Sequence, residues 1–220
     1  MAEKDAPRQA LAAYDRAWEV LAPLPADAEP LFRRRRTLAR LNRAGILMVE
    51  ANPALLADAL ASLESALAEM LGHSGDEGAL PLLISLRATQ ARALAQQGGW
   101  PGAIEAAEEG LALARRSSGD PLVGGLIGGL FQFCAEAYAR HQPHFVPEFL
   151  DEALPLADAA GPAGAARLVA DRALRHALGR MAHRSFEARG TPDAEVALAR
   201  FSQLRRYAER RSPLGAGAED

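Results

Sequence analysis

The 220-residue chain has one cysteine, Cys134, and one lysine, Lys4, and only 5% of its residues are aromatic. A lone cysteine excludes an intramolecular disulfide and a cysteine-rich metal site. With its single lysine near the N-terminus, the body of the chain has no lysine-dependent chemistry. β-Branched residues are scarce, and no stretch alternates apolar and polar residues for more than a few positions, so no sheet is expected. The N-terminal MAEKDAPRQALAAYDRAW has no apolar core of signal-peptide type. The longest uncharged run, Pro121 to Ala135, is short and glycine-rich for a bilayer span. The expectation is therefore a soluble, cytoplasmic protein without membrane association. A net charge of −3 and a pI near 6.0 do not describe an overall polycation for nucleic acid or membrane surfaces. There is no phosphate-binding glycine–lysine loop, no HExxH and no GxSxG, so the sequence points to no enzyme, cofactor or metal.

What the chain does have is alanine and leucine, punctuated by proline. Eight of its fourteen prolines, at 30, 53, 81, 101, 121, 143, 162 and 192, divide it into eight segments of helical length. Proline suits the first turn of a helix, where its missing N–H would be unpaired anyway. Several follow good capping residues, as in Asn52-Pro53, Asp120-Pro121 and Thr191-Pro192. An amphipathic helix over 7–22 carries Leu11, Tyr14, Trp18 and Leu21 on one stripe. Paired helices are expected at about 30–51 and 53–71, 80–97 and 101–117, 121–141 and 144–160, and 163–189 and 192–211. A 43- to 45-residue ruler aligns Leu41, Leu86, Phe131 and Leu174 in the leading helices, each followed three residues later by a small residue: Ala44, Thr89, Cys134 and Ala177. The trailing helices align Leu67, Leu111, Leu154 and Ala197.

The segment QGGWPGAIEAAEEGLALA, Gln97 to Ala114, resembles the turn and second helix of a tetratricopeptide repeat. Trp100 follows the glycine turn, small residues sit at Ala103, Ala107 and Gly110, and the stripe continues through Leu111. Phe149 to Ala157 and Leu60 to Met70 are similar to the same helix. The ruler is longer than that family's usual repeat, and Pro155 falls inside a trailing helix, where a kink is expected. The resemblance implies an all-α, right-handed solenoid of four antiparallel helix pairs over 30–211, preceded by a helix and loop over 1–29 and followed by a disordered tail over 212–220. It also implies a concave surface lined by leading helices.

Charge is segregated by helix role. Leading helices carry fifteen arginines against five acids, Glu50 among them, and the first three trailing helices carry ten acids against Arg115 and Arg116. A groove lined by the leading helices would attract acidic partners. One residue past the ruler lie Asn42, Arg87, Gln132 and Arg175, which by resemblance form a ladder on the concave face, with Arg172 beside the last rung. Arginine forks and amides there would hold a peptide's carboxylates and backbone; a plain solvated face is the alternative. Arg33, Arg36, Arg40 and Arg43 form a further stripe. A salt-bridged or solvated face accounts for it better than a nucleic-acid arm, since aromatics for base stacking are not interleaved.

Gly124, Gly125, Gly128 and Gly129 lie inside one helical segment, each costing about 1 kcal/mol relative to alanine. Close intramolecular packing is the first reading, with a ligand or dimer contact at Gly125 and Gly129 as the other. Cys134 reads as a buried small hydrophobe rather than a nucleophile. His141 and His144 bracket a turn without a third metal ligand nearby, and His176 and His183 share a face with Arg172 and Arg180 that suits an anion if anything. Glu108-Glu109 and Asp151-Glu152 diverge around their helices, a poor arrangement for shared acid/base work. The expected function is a non-catalytic interaction module for an acidic or extended peptide. The alternatives are a regulatory domain for a small anionic ligand and a self-assembling protein whose Glu219-Asp220 end docks in a neighbour's basic groove.

Overall fold

The proline punctuation becomes a succession of helix starts in the computed structural model, which describes residues 2–25, 28–49, 52–76, 78–116, 120–162 and 164–211. Glu50 and the expected tail, with Glu219 and Asp220, lie outside the described residues. The helices are α1 (Ala2–Leu21), α2 (Pro30–Val49), α3 (Pro53–Gly72), α4 (Ala79–Gln96), α5 (Trp100–Arg115), α6 (Pro121–His141), α7 (Val146–Ala160), α8 (Ala165–Glu187) and α9 (Ala194–Arg211), with a single 3-10 turn at Pro143–Phe145 before α7. No strand occurs among the described residues, as the composition predicts.

Two of the three expected caps form. Asn52 Oδ1 accepts from the Ala54 N–H at 2.9 Å, and Asp120 Oδ1 accepts from the Leu122 N–H at 2.8 Å. Thr191 does not cap α9. Its hydroxyl donates back to the Ala188 carbonyl at 2.7 Å, and the helix begins at Ala194 rather than at 192. Gly78, at φ 72°, leads into α4, and an arginine guanidinium, that of Arg34, lies against it. Pro155 stays on the exposed side of α7 without ending it. The expectation for the apolar run at 121–135 needs correcting. The helix continues to His141, and among the described residues it is the one long and apolar enough to cross a bilayer by length and composition, with half of its most apolar stretch buried inside the protein.

The helices group into two compact units, residues 1–126 and 127–220, divided within α6. In the first, α1 packs on α2, each later helix packs on its sequence neighbour through α5, and α2 also touches α4. Its core joins Ala44, Leu47, Leu56, Ala59, Leu63, Ala66, Met70, Leu83 and Leu86. Alanines between the leucines let the backbones approach closely, and each helix buries only a stripe that its neighbour completes.

In the second unit α8 packs against both α7 and α9. Phe131 of α6 stacks on Phe149 of α7 at 5.7 Å between ring centroids, and Tyr138 meets the same ring at 5.2 Å. Val146, Leu150, Ala170, Ala177, Met181 and Leu204 complete this core, and Cys134 is fully buried. The ruler tracks burial: Leu86, Phe131, Leu174, Leu67, Leu111 and Leu154 are core residues, whereas Leu41, Thr89 and Ala197 are half-buried.

Candidate functional site

The arginine stripe on α2 is consumed inside the first unit. Arg33 and Arg36 are only 7% and 6% exposed. Arg33 binds Asp76 through Nε at 3.1 Å and Nη2 at 2.6 Å, and also reaches the Ala28 carbonyl. Arg36 donates to Glu69 of α3 from Nε at 2.8 Å and again from Nη2, and to the Leu24 carbonyl at 2.9 Å. Arg40 takes the other oxygen of Glu69 at 2.9 Å and stacks over the Trp18 ring at 4.2 Å. Burial leaves its pKa below the ordinary arginine value, against the pull of Glu69. Arg43 bridges Asp15 at 2.7 Å and Asp58 at 3.0 Å. Burial opposes its charge, and these two carboxylates outweigh that and leave its pKa raised. The salt-bridged reading of this stripe is therefore the observed one. The stripe tightens α2 onto α3 and α1 rather than facing a partner.

The five residues expected to hold a partner fall into different surroundings. In the first unit Asn42 is exposed and lines a cleft of about 530 Å³ with Leu41, Ile46, Ser85, Thr89 and Arg92. Arg87 is engaged internally, with Glu109 at 2.7 Å and Gln90 at 2.9 Å. In the second unit Gln132 and Arg172 share one carboxylate oxygen of Glu136, at 3.1 and 2.8 Å. Arg175 is exposed and has no ion pair or hydrogen bond among the described residues. It lines a cleft of about 630 Å³ whose apolar wall is Leu154, Leu174 and Leu178 and whose rim includes Arg167, Arg211, Asp158 and Asp171. Asp158 pairs with Arg167 at 3.3 Å. Arg211 donates to the Tyr207 hydroxyl at 3.1 Å, and that hydroxyl donates to Asp151 at 2.6 Å, tying α9 to α7. Burial, followed by the Asp151 bond, keeps the Tyr207 pKa above its ordinary value.

Close packing does not account for three of the four glycines of the patch, Gly125, Gly128 and Gly129. A β-carbon on Gly125, Gly128 or Gly129 would meet nothing within 4 Å, because all three lie on the exposed side of α6.

A cationic cluster that sequence reasoning met only in part, through Arg180 and the His141–His144 turn, lies at the C-terminal end of α6. Arg180 Nε of α8 donates to the Arg140 carbonyl at 3.1 Å, and Arg184 Nη2 to the His141 carbonyl at 3.3 Å. Both satisfy carbonyls that a helix end leaves without an intrahelical partner, and both complement its negative dipole. Burial, with Arg140, Arg180 and Arg184, holds the His141 pKa below the usual histidine value; burial, Arg200 and Arg184 do the same to His144. These arginines are dispersed in sequence, and the packing of α8 and α9 against the 3-10 turn that follows α6 gathers them. On the same helix His183 lies 3.2 Å from Glu187.

Compared with protein-family models, curated proteins and solved structures, the chain matches none of them.

Proposed function

We propose that the protein is a non-catalytic interaction module, built from helix pairs resembling long tetratricopeptide repeats in a right-handed arrangement, and that it holds an acidic, extended peptide segment of a partner. The observation that carries this reading is the α7–α9 cleft with Arg175 on its rim. Its leucine wall suits the apolar side chains of an extended segment. Arg175 supplies a guanidinium fork with no internal carboxylate, so a ligand carboxylate can take it without displacing another bond. Composition supports the same surface: α8 and α9 together carry ten arginines against four acids. Arg87 is a poorer anchor, because a peptide would have to compete with Glu109 for it.

The test is fluorescence anisotropy at low salt with a labelled peptide alternating glutamate and leucine. Arg175→Glu should weaken binding by about tenfold or more, the scale of a reversed charge-assisted contact. Arg87→Gln should leave affinity near that of the unmodified protein. Unchanged affinity in a folded Arg175→Glu protein would remove the proposal.

A further inference from the structure

The cluster at the end of α6 lies outside the peptide cleft and has its own chemistry. Arg180 and Arg184 are each anchored through a single nitrogen on a backbone carbonyl, Arg140 O and His141 O. A guanidinium carries five N–H donors, so most of each fork remains for a ligand, and the backbone bonds hold both forks in place beforehand. Arg140 and Arg200 are exposed, and none of the four arginines is ion-paired with a carboxylate among the described residues. Arg184 acts on both His141 and His144, and so links the Arg140 and Arg180 side of the cluster to Arg200. The His144 Nδ1 atom is buried there and meets no hydrogen-bond partner among the described residues.

Four guanidinium groups exceed what one carboxylate can satisfy with its two oxygens. A tetrahedral dianion offers more acceptors and twice the charge. We propose that Arg140, Arg180, Arg184 and Arg200 form a binding site for a dianionic phosphate group, either free inorganic phosphate or a phosphate monoester on a protein side chain. The site is independent of the α7–α9 cleft and stands whether or not that cleft holds a peptide.

The test follows the imidazole resonances of His141 and His144 by NMR as inorganic phosphate is added, with chloride at matched ionic strength as the control. Phosphate should move these resonances selectively. It should also raise both histidine pKa values, by on the order of one unit, because a bound anion favours the charged imidazole. Arg140→Gln with Arg200→Gln removes two exposed side chains that make no bond among the described residues, and should weaken phosphate binding about tenfold or more in a folded protein. Arg175→Glu should leave phosphate binding in place. A phosphoserine peptide binding more tightly than inorganic phosphate identifies the esterified source, whereas equal or weaker binding identifies free phosphate; either result supports the site. The site is overturned if phosphate acts no differently from chloride. It is also overturned if a peptide with glutamate in place of phosphoserine binds as well as phosphate itself, or if Arg175→Glu abolishes binding while the Arg140/Arg200 double substitution does not.

Discussion

The two units use one residue type in opposite ways. In the first, arginine is structural: Arg33, Arg36, Arg40 and Arg43 reach across to carboxylates of α3, its following loop and α1, and their side chains are between 7% and 24% exposed. In the second, arginine sits on the surface. Arg167 and Arg172 are 74% and 52% exposed in their ion pairs, Arg175 has no ion pair, and Arg180 and Arg184 serve backbone carbonyls. Net charge per helix is therefore a poor guide to where a partner binds. An arginine already desolvated against a carboxylate has little left to offer, whereas one anchored on a carbonyl keeps its full charge.

The sharpest way to break this contrast is to delete one arginine from each unit. Arg36→Ala strands Glu69 in a largely buried place and should cost about 3 kcal/mol in urea unfolding, with Arg40 limiting the loss. Arg172→Ala removes an exposed pair and should cost under about 0.5 kcal/mol. Equal losses would mean that burial does not separate the two groups.

A smaller effect of opposite sign is expected on α6. Gly128→Ala and Gly129→Ala should each stabilise by roughly 0.5–1 kcal/mol in the same assay, since helix propensity improves and nothing stands in the way. A loss instead would show that this face is covered in solution.

The smallest effect concerns pH. Both His141 and His144 have folded pKa values below the ordinary 6.5, so the unfolded chain binds more protons, and stability should decline as pH falls through that value. A thermal unfolding series should show the decline. The His141→Gln/His144→Gln protein should show a flatter one, and an identical slope would count against burial and the arginines acting on these rings.

Much of the helical layout was legible because its signals are local. Proline at a first turn and apolar residues at steps of three and four act within one helix, which is why Pro53 and Pro121 mark helix starts and why Leu86 and Phe131 fall in the core. Thr191 failed as a cap because its hydroxyl found the Ala188 carbonyl within its own turn. The glycines of α6 were readable as unusual, but the direction they face depends on which stripe of that helix the neighbours cover. Of the five expected partner residues, Arg175 kept an unengaged side chain in a cleft, whereas Arg87 is held by Gln90 on its own helix and by Glu109 of α5, an ion pair that only helix packing creates.

From its residues alone the chain determined that it would be helical, roughly where each helix would begin and which side of it would be apolar. Propensity, capping and periodicity act over a few positions. Only tertiary structure decided which charges are spent and which remain. Arg33 meets Asp76 across 43 residues, Arg36 meets Glu69 across 33, and Arg180 meets the Arg140 carbonyl across 40. The strength of each of those interactions depends on distance and desolvation, which exist only once the helices have packed.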